Sequence, residues 1–271
     1  MIEAVPPPPA MSSLLLYLIV CSTALVAAGL TFFSGFGLGT LLLPALSFFF
    51  PVEQAVGMTA VVHLANGLFK LVLVGRHIDR GVLLRFGLPA IAAAFAGATL
   101  LVRLADVPPL AGYDLLGRTA TVTPVKLTIG LLLAVFAGID LVPAFGRLAF
   151  PPAMMPVGGV LSGFFGGLSG MQGALRAAFL SRAGLSKEAY VATAAAIGCL
   201  VDFTRLGRYA PAVAEEWGSL DLGLLAAVIG AAFAGSSLGS RFLRKVTIEG
   251  IRRLVAAMLL VVAVGLAAGL L

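Results

Sequence analysis

The sequence predicts an all-α fold, a polytopic membrane helical bundle of two inverted repeats with broken or re-entrant helices. Three observations carry that expectation. The chain is 60% hydrophobic and only 11% charged, with a mean hydropathy of +1.09, whereas soluble domains carry roughly 25% charged residues. Two long apolar runs are interrupted by glycine clusters instead of by charges. Short motifs also recur in the same order in the two halves of the chain.

At ~20 residues per span, 271 residues accommodate roughly four to nine helices and leave no room for a second, soluble domain. Residues 1–271 are therefore read as one membrane domain whose first partner is the lipid bilayer. The net charge of +6 does not argue for nucleic acid, because the basic residues gather at the ends of apolar segments, where they set topology. Cys21 and Cys199 both sit inside apolar segments, so neither a disulfide framework nor a paired-cysteine metal site is suggested. No metal and no cofactor is expected. Trp217 follows Glu215 and Glu216, where an interfacial anchor belongs.

Residues 1–13 form a proline-rich leader with Pro6 to Pro9 in succession and no basic stretch, so a cleaved signal peptide is not expected. The first repeat is assigned to 14–145. It opens on 14–50, an uncharged run too long for one span, punctuated by Ser34-Gly35-Phe36-Gly37-Leu38-Gly39 and therefore read as two arms meeting at a break. A helix follows over about 54–74, then a basic turn with Arg76, His77, Asp79, Arg80 and Arg85. A span over about 83–102 leads to a polar loop with Asp106, Pro108, Pro109, Asp114 and Arg118, and a further span covers 125–145. The second repeat, 154–271, reads as a broken segment 154–181, a helix 188–209, and spans 219–240 and 253–271. Ala93 to Leu100 (AAFAGATL) and Ala231 to Leu238 (AAFAGSSL) agree at six of eight positions, and Ala55-x3-Thr59 answers Ala189-x3-Thr193.

The two most basic connections, 76–85 and 241–253, should both be cytoplasmic. Counting spans between them requires 154–181 to leave and return on one side of the membrane. Its two arms of about 13 residues reach only ~20 Å at 1.5 Å per residue, short of a ~30 Å hydrocarbon core. The segment is thus expected to be a hairpin with Ser169 to Gly173 at its tip. Its counterpart 14–50 then enters from the opposite face, and both termini fall outside the cytoplasm.

The chemistry concentrates in Ser162 to Arg176, SGFFGGLSGMQGALR, with five glycines and one arginine. A helix broken inside a bilayer exposes unpaired N–H groups and the positive end of its dipole, and glycines let a ligand approach that backbone. Non-helical backbone survives at such depth only where protein or a water-filled cavity satisfies it, as in transporter binding sites. Gly37, Gly39, Ser169, Gly170, Gln172, Gly173 and Arg176 are the candidate anion-binding residues. A guanidinium at Arg176 could grip an oxyanion bidentately; the plainer alternative is that it snorkels or pairs with a carboxylate. Thr59, His63, Asn66 and Lys70 fall on one helix face, which should point inward. His63 and Asn66 join the candidate site, His63 as a proton carrier or a structural hydrogen-bond donor, while Lys70 is read as snorkelling. Asp202 and Arg205, three residues apart, are read as an ion pair or coupling element, with partner exchange between Asp202 and Arg176 as the sharper alternative. Gly97-Ala98-Thr99 and Gly235-Ser236-Ser237 are read as close helix packing.

The duplicated break followed by Ala-x3-Thr (Gly35–Thr59 and Gly170–Thr193), together with GGLSGMQGALRAAFL and GLSKEAYVAT, resembles the TauE/SafE family of bacterial membrane transporters, the sulfite exporters. The resemblance covers nearly the whole chain. It implies seven to nine spans and export of sulfite, sulfonates or related organosulfur anions across the bacterial inner membrane, with protons as a possible coupling ion and the oligomeric state left open. The chain departs from the family pattern at Gly37-Leu38-Gly39, where three consecutive glycines are common. It departs again near Arg176 and Ala178, where a proline is often found, and Pro44 has no counterpart in the second repeat. A substrate other than sulfite is therefore left open. Two rival readings stand beside it. Gly167-Leu168-Ser169-Gly170 matches the nucleophile motif of a rhomboid-type intramembrane serine protease, but no histidine follows Ser169, as that type of enzyme requires. An anion channel is the other, and inverted repeats with breaks favour alternating access over a fixed pore.

Overall fold

A computed structural model describes residues 13–34, 38–115, 118–142, 149–210, 221–242 and 248–271. Gly37, Arg147, Trp217 and 243–247 lie outside the described residues. The first half comprises α1 (Ser13–Ser34), α2 (Leu38–Ser47), α3 (Val52–Val74) with a 3-10 turn at Gly75–His77, and α4 (Arg80–Ala105). It continues through β1 (Ala111–Leu115), β2 (Arg118–Val122) and α5 (Pro124–Leu141). The second half comprises α6 (Met155–Ser169), α7 (Gly173–Leu180), α8 (Lys187–Tyr209), α9 (Leu222–Phe242) and α10 (Ile248–Ala267).

Among the described residues, four segments are long and apolar enough to cross a membrane, by length and composition: Val52–His77, Arg80–Ala105, Lys187–Tyr209 and Leu222–Gly239. Three of the four starts carry side-chain caps. The Asp79 carboxylate accepts from Val82 N at 2.8 Å, Ser186 Oγ from Ala189 N at 3.2 Å, and Asp221 from Leu224 N at 3.0 Å, each satisfying one of the orphan donors of a first turn. The outer surface is apolar, with Val72 84% and Leu222 72% exposed, whereas Thr59, Asn66, Gln172, Asp202 and Arg205 are buried. Polar inside and oily outside is the distribution a bilayer demands.

The segment expected to be a hairpin is one. Helix α6 ends at Ser169, and the chain turns back into α7. Phe150 N, before α6, donates to Ala178 O in α7 at 3.1 Å, and the Phe150 and Phe179 rings stack with centroids 4.4 Å apart. Phe179 lies so close to Gly158 that a Cβ there would sit 2.4 Å from the ring. Near the tip, Ser162 Oγ donates to Gln172 O at 3.1 Å. At fifteen and eight residues the arms reach only ~22 and ~12 Å, short of a ~30 Å core.

Glycine sets the helix packing. Gly159, Gly163 and Gly167 of α6 lie against the carbonyls of Phe86, Ala90 and Ala94 in α4, and a Cβ at each would sit 2.3, 2.2 and 2.1 Å from those oxygens. The two helices therefore run parallel in backbone contact, as small residues allow. Helices α1 and α9 do the same: a Cβ on Gly235 would meet Leu25 O at 2.0 Å, and one on Gly239 would meet Gly29 O at 2.5 Å. Gly97, on the other side of the α4–α6 contact, would meet Phe164 O at 2.1 Å. Gly97 and Gly235 hold the same place in the eight-residue repeat. By contrast α3 and α8 cross antiparallel, with His63 at Asp202, Gly67 at Cys199, and Asp79 N on Thr193 Oγ1 at 2.9 Å.

A β-hairpin stands where a polar loop was expected. Strands β1 and β2 pair antiparallel from Ala111↔Val122 to Leu115↔Arg118. Thr121 N donates to Gly269 O at 3.2 Å and Tyr113 OH to Ala268 O at 2.6 Å, which fastens the hairpin to the chain just past α10. Thr119, Thr121 and Val122 are β-branched and suit a strand.

Candidate anion site at the meeting of the hairpins

Helix α6 terminates because Gly170 adopts φ +81°, and its N–H returns to Gly166 O at 2.9 Å. A residue with a Cβ rarely adopts that left-handed geometry, which is why glycine closes the helix there. Gln172 N then donates to Gly170 O at 3.1 Å, and α7 begins at Gly173. From the other half, Gly39 in the first turn of α2 comes up to the same carbonyl. A Cβ on Gly39 would lie 3.2 Å from Gly170 O and 3.4 Å from Thr59 Cγ2. The start of α2 therefore meets the turn between α6 and α7.

Around that point the side chains form a connected set. Arg176 Nη1 donates to Gln172 Oε1 at 3.1 Å. Gly198 of α8 leaves room for Arg176 Nη1 and His63 Cε1 together, at 3.2 and 3.4 Å from where its Cβ would stand. His63 Nδ1 lies 2.5 Å from Asp202 Oδ2, and Arg205 Nε donates to Asp202 Oδ1 at 2.9 Å. Arg205 Nη2 is 2.8 Å from the same oxygen, an ion pair off the line a hydrogen bond needs. Arg205 Nη1 points at Gly170, 2.6 Å from where a Cβ would be. Tyr209, whose hydroxyl donates to Gly167 O, adjoins this guanidinium.

Among the described residues, the buried side-chain atoms without a hydrogen-bond partner are Thr59 Oγ1, Gln172 Nε2 and the two terminal nitrogens of Arg205. All four belong to residues of this locus, and unpaired buried polar groups are costly enough to demand an explanation. Charge points the same way. The buried charged residues here are Arg176, Arg205 and Asp202, two positive against one negative, with Lys70 in Coulombic reach of Arg176. Surplus buried positive charge with free N–H donors is chemically a receptor for an oxyanion.

The expected residues do not all share this role. Ser169 Oγ donates to Phe165 O at 3.0 Å and lies 3.4 Å from Met171 N, so it caps the break. Its hydroxyl is not on His63, which is taken by Asp202. Asn66 Oδ1 accepts from Ser236 Oγ at 2.7 Å and ties α3 to α9. Arg176 is bonded to Gln172, while Arg205, read from sequence as an ion-pair or coupling member, has unsatisfied nitrogens at the break. Thr59 and Tyr209 were not among the candidates. A threonine on the Thr59–His63–Asn66 face was visible in the sequence, but Tyr209 carried no signal.

An apolar bundle with a charged interior, in which a helix start from one half meets a broken hairpin of the other, is the architecture of a membrane transport protein. The family model of the sulfite exporter TauE/SafE matches residues 20–266. The chain belongs to that family. No curated protein matches it.

Proposed function

We propose that this protein is a secondary transporter that moves sulfite, sulfonates or related organosulfur oxyanions out across the bacterial inner membrane by alternating access. The anion would sit at the junction of the two breaks, its oxygens taken by Arg205 Nη1, Gln172 Nε2, Thr59 Oγ1 and the amides at the starts of α2 and α7, with Arg176 alongside. The observation that carries this reading is the set of buried donors left without partners where Gly39 meets Gly170. Helix dipoles contribute ~0.3–1 kcal/mol when solvated and up to ~2 when partly buried, too little to replace an anion's hydration. Direct charge-assisted hydrogen bonds must supply most of it.

In the same reading the halves 14–145 and 154–271 are inverted repeats. The antiparallel crossing of α3 and α8, which hold equivalent places in the two halves, supports this. The basic 76–85 turn faces the cytoplasm, and both termini lie on the periplasmic side. The test is flux of radiolabelled sulfite, and separately of a sulfonate, in liposomes holding the purified protein. Saturable flux that Gln172→Ala abolishes supports the site. Full flux in that variant would put the anion elsewhere.

A further inference from the structure

The polar cluster contains more than an anion receptor needs. His63 of α3 and Asp202 of α8 meet at 2.5 Å, and Asp202 is shared with Arg205, whose outer nitrogens face the break. A carboxylate whose sole task was to hold Arg205 would not need a histidine from the opposite half. An imidazole with Nδ1–H on a carboxylate keeps its second nitrogen available for a proton.

We propose that His63 carries one proton for each anion cradled at Arg205, so that the protein moves the two together. The proposal rests on the anion reading above. Asp202 accepts from His63 Nδ1 and from Arg205 Nε at once. An oxyanion on the outer edge of Arg205 competes with Asp202 for that guanidinium. A proton on the second nitrogen of His63 makes the imidazole a cation, which compensates Asp202 for the shared arginine and attracts the incoming anion across the cluster. Linkage is reciprocal, so whatever proton binding does for the anion, anion binding does for the proton. The balance is simple: the proton comes from water on the loading side, rests on the ring nitrogen while the anion is bound, and leaves with it. No bond other than N–H forms or breaks. A dianion moved with one proton transfers one negative charge, which an inside-negative membrane potential drives outward.

The titratable groups facing the pair are few. Helix α3 brings Lys70, α8 brings Arg205, Cys199 and Tyr209, and α7 brings Arg176. The 3-10 turn after α3 carries Arg76 and His77 at the helix end, and Glu53 and Lys126 of α5 lie within Coulombic reach of each other at its beginning. Among the described side chains, α2 and α9 bring none. Of these groups, the one that meets Asp202 from the opposite half is His63, so loss of proton uptake in His63→Gln assigns the proton to it.

The experiment uses the purified full chain and sulfite, at a pH alkaline enough that free sulfite is wholly dianion. Titration calorimetry in two buffers of different ionisation enthalpy counts protons taken up per sulfite bound. One proton is expected for the wild type and none for His63→Gln, which should still bind, more weakly. The wild-type Kd should rise about tenfold per pH unit, while that of His63→Gln stays flat. Asp202→Asn, which removes the shared acceptor, should also lose the proton. Sulfite binding by the wild type with no proton uptake overturns the proposal whatever the variants do. Uptake that persists in His63→Gln overturns it too. Absence of any sulfite binding by the wild type would instead defeat the anion reading, and the two failures are distinct.

Discussion

Gly170→Ala is the most informative single change. Gly170 has φ +81°, and a Cβ there would stand 2.6 Å from Arg205 Nη1. The first cost is conformational: a left-handed non-glycine residue loses ~1–2 kcal/mol. The second is steric. To reach ordinary van der Waals separation the guanidinium must withdraw by roughly 1 Å, enough to break the 2.9 Å bond from Nε to Asp202. A hydrogen bond to a charged group contributes ~1.5–3 kcal/mol, so the expected total is ~3–5 kcal/mol. Gly184 supplies the control: its φ is also positive, +70°, yet nothing lies within 4 Å of its would-be Cβ. Gly184→Ala should show the conformational cost alone. At ~2–4 °C per kcal/mol, Gly184→Ala should lower the melting temperature in detergent by ~2–8 °C and Gly170→Ala by ~6–20 °C. Only the latter should lose sulfite flux in liposomes. Equal shifts in the two variants would refute the claim that Gly170 exists to let Arg205 reach the break.

Arg176→Gln should lower the melting temperature less than Arg205→Gln, since Arg176 bonds to the neutral Gln172 and not to a carboxylate, but should cut flux at least tenfold. Arg205→Gln should lose both, because a buried pair broken on one side costs ~3–5 kcal/mol; unchanged stability there would show that Asp202 does not need Arg205. Gly39→Leu should insert normally and fail to transport, since even a Cβ would lie 3.2 Å from Gly170 O; wild-type flux would mean that the meeting of the tips is only packing. In a background lacking Cys21 and Cys199, a cysteine replacing Ile78 should be shielded from an impermeant thiol reagent in whole cells, and one replacing Tyr113 should react. The opposite pattern would reverse the topology. The Asp221 carboxyl is held below the usual range by the Leu224 N–H and then by the Tyr17 hydroxyl. Its folded-state value is the lower one, so its stabilisation is present at neutral pH and fades as pH falls through the folded-state value. The melting-temperature gap between wild type and Asp221→Asn should therefore close in acid; a gap constant with pH would exclude the carboxylate as its source.

Helix ends and the second hairpin were legible in the sequence because a bilayer enforces simple arithmetic. An apolar run either reaches ~30 Å or must turn back, and neither arm of 154–181, broken at its glycines, could reach. The β-hairpin at 111–122 was not legible, because five-residue strands between longer helices have no such constraint and the surrounding prolines and aspartates read as loop. Within the site, the glycines and Arg176 announced themselves as anomalies in an apolar stretch. Arg205 did not. An aspartate three residues before an arginine on a helix reads as a closed pair, and sequence cannot show that the pair uses Nε and leaves Nη1 facing another segment. That depended on Gly170, thirty-five positions earlier, arriving beside it. The partner of His63 was equally invisible, for it lies 139 residues away across the two halves.

The glycine contacts also bear on what can move in the proposed cycle. In α4–α6 and α1–α9, carbonyls occupy the places where side chains would be, at would-be Cβ distances of 2.0–2.5 Å in the closest pairs. Such interfaces have no slack, and even one added methyl group would cost ~1–3 kcal/mol. Each is therefore a rigid pair, and each joins the first arm of one hairpin to a helix of the other half. The contact between α3 and α8 is different in kind. It is held by a histidine on a carboxylate, a capped amide and a cysteine beside Gly67, groups whose bonds can be exchanged for those of a bound anion or proton. Packed glycine seams resist sliding, whereas a charged seam shifts when its charges change. The two parallel pairs would then rock as bodies about the α3–α8 crossing. The hairpin tips, one carried by each body, would part on alternate sides, and the anion and proton would bind at the one place where the moving parts touch.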